Sequence, residues 1–369
     1  MMLTAALLCF VALWFAMLGT ATVLFARRHE PRAAPVPQPL PRVSILLAAR
    51  NEEVAIERCL ASIRELAYPA PLLEVLLGDD ASTDNTVAIA QAVMQDYAGS
   101  FRVVSIQTNK GQARGKANVL AHLARAATSD VFCITDADIA VPRTWVSGLL
   151  GRVQGSVGIV TGITVVQGPR LFDQLQRLDW LLSLSLVQVV SDWGKPVTAM
   201  GNNMLVTRQA YEATGGYEAL PFSVTEDYAL FRAVLGRGFT FRNVFSPEVL
   251  AESLPIGTLG QLLHQRRRWL RGVEALPWGL QAALLVYSGI YPAMLGLAFT
   301  SGPLAALAVL GAKMVAQGVL TALCFYRVGL RPPLRLLPLF ELYTVGLTLG
   351  LVGFRVLPLR FTWKGRQYA

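Results

Sequence analysis

The chain opens on a segment that constrains every fold it can adopt. Met1 to Ala26 holds no charged side chain, and Arg27, Arg28 and Arg32 follow at once. A second charge-free run extends from Ala275 to Ala312, and its apolar character continues past Lys313 to Tyr326. A helix needs about 20 apolar residues to cross the hydrocarbon core of a bilayer. The first run therefore supplies one crossing. The second is long enough for two, with Ser301-Gly302-Pro303 as the turn between them. Leu336 to Phe354 is a further candidate that carries one acid, Glu341. An acid at that depth is expected to face other helices, and Lys313 either pairs with it or snorkels to the surface. A cleaved secretory signal would carry basic residues ahead of a shorter apolar core, so the first run reads as an uncleaved anchor.

Arginine places the middle of the chain. Arg27, Arg28 and Arg32 follow the first run, Arg266, Arg267, Arg268 and Arg271 precede the second, and Arg327, Arg331 and Arg335 precede the last segment. By the positive-inside rule all three clusters are cytoplasmic, and the region between Arg28 and Glu274 is a cytoplasmic domain. The basic tail (Arg355, Arg360, Lys364, Arg366) asks for the same side, although a third crossing after Ala275 would export it. Either Leu336–Phe354 is re-entrant or interfacial, or the rule is broken there. The resulting organisation is an anchor (1–26), a proline-rich linker (27–41), a soluble domain (42–257), an interfacial helix (258–274), two or three membrane segments (275–354) and a basic tail (355–369). The net charge of +9 raises nucleic acid as a partner. Much of that excess flanks apolar spans, where arginine serves topology and anionic lipid, so no nucleic acid is expected. With 53% hydrophobic and 15% charged residues, neither a disordered chain nor an ordinary soluble protein fits. Cys9, Cys59, Cys133 and Cys324 show no metal spacing and read as buried free thiols.

Inside the soluble domain, apolar runs alternate with helical patterns. Val43–Ala49, Leu72–Gly78, Phe101–Gln107 and Val131–Thr135 read as strands. Glu52–Leu66, a segment starting near Thr83 and Asp84, and Gly115–Ala127 read as helices. Strands that are apolar throughout, alternating with helices, give an α/β fold with a mainly parallel sheet covered on both faces. Ligands bind such sheets at the carboxyl ends of the strands.

Each of those ends is polar. Ala49-Arg50-Asn51-Glu52-Glu53 follows the first strand and Asp79-Asp80-Ala81-Ser82-Thr83-Asp84 the second. Asn109 to Lys116 follows the third and Asp136-Ala137-Asp138 the fourth. One acid pair after a strand often makes only a turn or a helix cap. Four loaded strand ends on one edge describe a site. Asp136 and Asp138 offer oxygen-only ligation suited to Mg²⁺ or Mn²⁺, which would neutralise a diphosphate leaving group. The Lys/Arg/Gly segment 110–116 adds positive charge and backbone N–H groups for the same anion. Asp79 and Asp80 are placed to hydrogen-bond a base or ribose. Neither a GxxxxGK[ST] loop nor a GxGxxG fingerprint is present. Downstream, Gly201-Asn202-Asn203 opens a strand-like run, Gly215-Gly216-Tyr217 marks a turn, and Thr225-Glu226-Asp227 starts a helix ending at Gly236. Gln265-Arg266-Arg267-Arg268-Trp269 lies on a helix ahead of the membrane.

In this order and spacing, the acid pair (Asp79, Asp80), DxD (Asp136, Asp138), TED (Thr225 to Asp227) and QxxRW (Gln265, Arg268, Trp269) resemble the membrane-integrated inverting glycosyltransferases of family 2, which have the GT-A fold. The resemblance covers about Pro41 to Gly272 and the flanking spans. Within that family the chain is similar to ceramide glucosyltransferases and related bacterial lipid glycosyltransferases, on Gly201…Met204-Leu205, Gly215-Gly216, Glu226-Asp227-Tyr228 and the tail Trp363-Lys364-Gly365-Arg366-Gln367-Tyr368. The resemblance implies a nucleotide sugar, by family expectation a UDP-sugar, held by Ala49, Asn51, Glu52, Asp79, Asp80, Lys116, Asp136, Asn202, Gln265, Arg268 and Trp269. It also implies a divalent metal on Asp136 and Asp138, and Asp227 as the general base beside Glu226. The acceptor is a membrane lipid; a processive polysaccharide synthase is the alternative, set back because so few spans give little material for a polymer channel. A non-catalytic scaffold and a nucleotidyltransferase fit less well, since neither needs intact TED and QxxRW. An inverting displacement forms no covalent intermediate, which agrees with His29, His122 and His264 standing outside any triad pattern.

Overall fold

Val, Ile and Leu fill the first, second and fourth strand patterns so densely that both faces of each must be covered, and helices with one apolar stripe cover them. The third, expected to be covered as well, lies at the sheet edge over Ser100–Ser105 and is only partly buried. In the computed structural model, which describes residues 1–27, 35–36, 38–274, 276–356, 361–363 and 366–368, this is the architecture observed. Residues 28–34 and 37 of the expected linker, and 357–360, 364–365 and 369 of the expected tail, lie outside the described residues.

Along the chain, α1 (Met2–Arg27) precedes β1 (Val43–Ala49), α2 (Ile56–Arg64), β2 (Leu73–Asp79), α3 (Thr86–Val93), β3 (Ser100–Ser105), α4 (Lys116–Ala126) and β4 (Val131–Asp136). Next come β5 (Ile139–Ala140), α5 (Trp145–Leu150), β6 (Val157–Thr161), β7 (Ile163–Val166), α6 (Leu171–Asp192), β8 (Asn203–Thr207), α7 (Arg208–Ala213) and α8 (Glu226–Gly236). The last elements are β9 (Thr240–Asn243), β10 (Leu250–Ser253), α9 (Leu259–Glu274), α10 (Trp278–Ser288), α11 (Ile290–Ser301), α12 (Pro303–Arg327), α13 (Leu337–Val356) and the pair β11 (Phe361–Trp363) and β12 (Arg366–Tyr368). Two compact units result: Met1–His29, Arg170–Val189 and Ile256–Ala369 form one, and Glu30–Pro169 with Val190–Pro255 the other. Most of α6 thus groups with the apolar helices rather than with the sheet.

The sheet unit has seven strands in the order β3-β2-β1-β4-β8-β6-β9. The first four are parallel, as their apolar runs require. β8 then enters antiparallel to β4, so the sheet is mixed. That reversal matters for the site: Asn203, at the start of β8, pairs with Thr135 at the end of β4, which brings Gly201 and Asn202 to the edge where β4 delivers Asp136. A smaller sheet, β5-β10-β7, lies alongside. Asn203 joins the two layers. Its buried side chain accepts from Trp145 Nε1 (2.8 Å) and donates to the carbonyls of Ile163 (2.7 Å) and Val249 (2.8 Å). The core is continuous from β1 and β2 through Ile56, Cys59, Leu60 and Ile63 of α2 to Trp145 of α5. Those α2 positions recur at helical spacing and define its buried stripe. Truncating one of them, as in Leu60→Ala, costs about 2–5 kcal/mol.

In the other unit, α1, α12 and Leu334–Gly353 are each long and apolar enough to cross a membrane, and α10 with α11 qualifies as one span bent by 42°. The expected turn is present: α11 ends at Ser301 and Gly302 adopts φ 89° before Pro303 starts α12. Lys313 and Glu341 pair directly. Lys313 Nζ lies 2.7 and 2.6 Å from the Glu341 carboxylate oxygens and 2.7 Å from Gln317 Oε1, and Tyr291 Oη donates to Glu341 at 2.8 Å. Snorkelling is thereby excluded for Lys313, which is 3% exposed. The four cysteines are free, but Cys9 is exposed on α1 rather than buried.

Candidate active site

The site in the sheet unit is built around one lysine. Gly115, at φ 57°, turns the chain into α4, and Lys116 is the first residue of that helix. Its ammonium lies 2.5 Å from Asp136 Oδ1 and 3.2 Å from Glu226 Oε1. Burial opposes its charge, but Asp136, Glu226 and Asp227 outweigh burial and hold the pKa above the usual lysine range. Lys116 therefore joins the end of β4 to the start of α8.

Asp227 stands beside this bridge. Its Oδ2 accepts the Gly201 N–H (2.9 Å) and its Oδ1 the Tyr228 N–H (2.8 Å). A side chain at residue 201 would place Cβ 2.6 Å from Asp227 Cβ, so only glycine lets the backbone approach this closely. Burial first, then the Glu226 charge, raises the Asp227 pKa to about 6, against the pull of Lys116 and the two N–H donors. A carboxylate tuned this way is ionised at neutral pH yet more basic than a solvated one.

The ends of β1 and β2 interlock. Asn51, at φ 53°, accepts the Thr83 N–H (2.8 Å) and donates its own N–H to Ser82 Oγ (3.1 Å). The Glu52 N–H donates to Thr86 Oγ1 (2.7 Å), and Glu53 accepts the Asn85 N–H (3.1 Å). Ala49 O accepts the Asp80 N–H (3.0 Å). Asp79 caps the turn through the Ser82 N–H (3.1 Å), and Arg50 donates to the Asp80 carbonyl (2.6 Å). Asn51 and Ala81 both take positive φ, a strain of order 1 kcal/mol each that these bonds hold in place. Asn51 and Glu52 thus shape this edge through local bonds. Asn202 behaves similarly: its carbonyl and Oδ1 accept from Thr135 and Thr164. Arg50, Ser82, Thr83, Thr86 and Gly201 bond to these residues or to Asp227 and are absent from the sequence-derived set. Arg50, Ser82 and Thr83 stand within the polar strand ends and Gly201 opens the run that becomes β8, whereas Thr86 carries no signal in the sequence.

Gly111 pins the loop before α4. A Cβ there would meet Glu218 O at 2.3 Å, and the Gln112 N–H donates to that same carbonyl (2.9 Å). Glu218 in turn accepts from Arg125 Nε (2.7 Å). The segment after Gly215-Gly216 is thereby tied to the loop that presents Lys116.

Asp136 and Asp138 leave β4 as expected, and the turn holding Asp138 is fixed by bonds to its carbonyl from Arg58 (3.4 Å) and Leu254 (3.2 Å). Among the described residues no group of three His, Cys, Asp or Glu side chains is arranged to hold a metal ion. Two carboxylates suit Mg²⁺ or Mn²⁺, which bind through one or two carboxylates and complete their shell with phosphate oxygens and water. The donor set fits on that basis, and Lys116 beside Asp136 already marks the place as one that accepts positive charge.

Gln265, Arg268 and Trp269 lie on α9, in the unit with the apolar helices. The residue that visibly fixes α9 there is Arg266. It pairs with Asp179 of α6 and stacks over Trp269 (4.4 Å) and Trp180 (5.4 Å), whose rings meet edge to face at 4.7 Å.

A sequence family described as glycosyl transferase family 21 matches residues 4–348. The chain belongs to that family. The membership agrees with the resemblance carried by the motifs, and the α/β architecture is that of the GT-A glycosyltransferases. Relatives include a beta-monoglucosyldiacylglycerol synthase of Synechocystis sp., 27% identical over 63% of this chain and 48% of that protein. A probable glycosyltransferase of Bacillus subtilis is 27% identical over 63% of this chain and 55% of that protein. A poly-beta-1,6-N-acetyl-D-glucosamine synthase of Staphylococcus epidermidis is 25% identical over 62% of this chain and 54% of that one. The chain spans about half the length of these curated relatives. Among solved structures, a mannosyltransferase from Pyrobaculum calidifontis in complex with GDP-Man and Mn²⁺ has the same fold. Its TM-score is 0.59 at 22% identity, over 95% of this chain and 96% of that one.

Proposed function

We propose that the chain is an inverting glycosyltransferase that moves a sugar from a nucleoside-diphosphate sugar to a membrane lipid at the cytoplasmic face. The observation that carries this reading is Asp227. It is a carboxylate with a pKa raised to about 6, oriented by two backbone N–H groups and set beside the Lys116–Asp136–Glu226 cluster. Asp227 takes the proton of the acceptor hydroxyl as that oxygen bonds to the anomeric carbon. The bond from that carbon to the diphosphate breaks, and the nucleoside diphosphate leaves with the electron pair. Inversion follows from the single displacement. Asp136 and Asp138 would hold a Mg²⁺ or Mn²⁺ ion, whose chemistry when bound is to neutralise the leaving diphosphate. Lys116 orients Asp136 and Glu226. The interlocked loops after β1 and β2 form the surface for the base and ribose, with Asp79 and Asp80 as acceptors, and Gln265, Arg268 and Trp269 serve the donor diphosphate.

A lipid acceptor is supported by the apolar helices and by the likeness to the Synechocystis beta-monoglucosyldiacylglycerol synthase; the staphylococcal relative supports polymer synthesis instead. Incubating membranes that contain the chain with labelled nucleotide sugars separates these readings. A lipid-extractable monoglycoside is expected, and high-molecular-weight product would refute the lipid reading. Asp227→Asn should bind donor yet transfer nothing; turnover at the wild-type rate would remove Asp227 as the base.

A further inference from the structure

We propose that Tyr217 is a sugar-binding residue, whose phenol donates a hydrogen bond to a hydroxyl of the hexose carried by the nucleotide donor. The inference rests on the glycosyl-transfer reading above and adds the group that recognises the sugar itself. Tyr217 follows two glycines at φ 83° and 72°, which turn the chain back between α7 and α8. Its backbone N–H donates to Tyr211 Oη (3.1 Å), its ring meets the Tyr211 ring edge to face at 5.7 Å, and Tyr211 Oη reaches Glu218 Oε2 (3.3 Å). Backbone and ring are therefore fixed. The hydroxyl is not: Tyr217 is 2% exposed, and its Oη is buried without a hydrogen-bond partner among the described residues.

A buried hydroxyl with no partner is a standing cost to the fold, and phenylalanine would fill the same space without it. Burial, together with the charges of Glu226, Asp227 and Asp136, pushes the phenol pKa well above its ordinary value, so the group stays protonated and acts as a donor. The ligand must then accept from a phenol in the field of three carboxylates. A phosphate oxygen would accept but bring further negative charge to that field. A saccharide hydroxyl is neutral, accepts from the phenol and can donate its own proton to a carboxylate.

The test uses the full-length chain in vesicles containing diacylglycerol. The donors are UDP-glucose, UDP-galactose, UDP-N-acetylglucosamine and GDP-mannose, followed by the monodeoxy analogues of whichever donor the wild type uses. Tyr217→Phe should lower kcat/KM about tenfold with the intact donor. It should cause no loss with the one deoxy donor that lacks the contacted hydroxyl. Its Tm should be unchanged or higher, because the removed hydroxyl has no partner within the protein. Tyr97→Phe deletes another buried hydroxyl that has no partner, in a ring beside Arg64 and Gly99, and should keep the wild-type kcat/KM with every donor, its Tm likewise unchanged or higher. Equal kcat/KM for Tyr217→Phe and wild type, an equal loss with every deoxy donor, or a lowered Tm would each overturn the proposal. A wild type inactive with all four donors, both in these vesicles and in vesicles of total membrane lipid, would instead refute the glycosyl-transfer reading, and the proposal with it.

Discussion

Replacing Glu226 by glutamine should move the acid limb of transfer to lower pH, while Lys116→Met should move it higher. The Asp227 pKa of about 6, against an ordinary 3.8, is the outcome of opposed effects: burial and then Glu226 raise it, and Lys116 and the Gly201 and Tyr228 N–H groups lower it. Glu226→Gln removes one raising charge and frees Lys116 from a competing partner 3.2 Å away, and both changes act in the same direction. A displacement of about one pH unit is the expected size for one close charge at a partly buried site. Burial remains, so the limb should stay above 3.8. At pH 5, a group with a pKa near 6 is about one-tenth ionised, and at a pKa near 5 it is half ionised. The variant should therefore keep about five times more of its own plateau activity at that pH. Lys116→Met should carry the limb towards pH 7. Both variants are expected to lose plateau rate, since Lys116 also holds Asp136, but the position of the limb is independent of its height. The assay is kcat/KM from pH 4.5 to 8.5 at saturating divalent metal, read as label entering lipid-extractable product. Limbs that coincide for all three proteins, or a Glu226→Gln limb that rises, would refute Asp227 as the group that sets the profile.

Gly201→Ala would force a methyl to within 2.6 Å of Asp227 Cβ and displace the base, so kcat should fall about a hundredfold while donor binding, followed by tryptophan fluorescence, persists. Chelation by EDTA should stop transfer, and Mg²⁺ or Mn²⁺ should restore it; indifference to EDTA would count against Asp136 and Asp138 as ligands. Lys313→Met leaves Glu341 charged and buried, at a cost of about 3–5 kcal/mol. Thermal melting in detergent should show a clear fall in Tm, largely recovered in the double variant Lys313→Met/Glu341→Leu.

Three strands were legible because burial on both faces leaves little freedom: β1 occupies the Val43–Ala49 run, β2 is shifted by one residue to end on Asp79, and β4 extends its run by one residue to Asp136, whereas the half-exposed edge strand β3 spans Ser100–Ser105 in place of Phe101–Gln107. Helix starts were less legible. The pattern from Glu52 gives a helix only from Ile56, because the residues before it are used by the interlock with the loop after β2. The helix expected near Thr83 begins at Thr86 for the same reason. The antiparallel entry of β8 has no local signature. Met204–Val206 is apolar like the neighbouring strands, and nothing in it marks the direction in which it pairs with β4.

The acids of the site were legible for a different reason: carboxylates at the end of an apolar strand have few structural uses, so four loaded ends together point to one edge. What a linear reading could not supply is the distribution of partners along that edge. Asp136 and Glu226 are 90 residues apart and share one lysine. That sharing gives the two acids next to each other in sequence different work, since Glu226 pairs directly with Lys116 while Asp227 is held by backbone N–H groups and feels Lys116 only through its charge. Neighbouring carboxylates whose environments separate in this way can divide structural and proton-accepting roles. Tyr217 belongs to the same class of hidden information. As a residue after Gly-Gly it reads as a turn, and only its buried, unpartnered hydroxyl in the field of those acids gives it a chemical task.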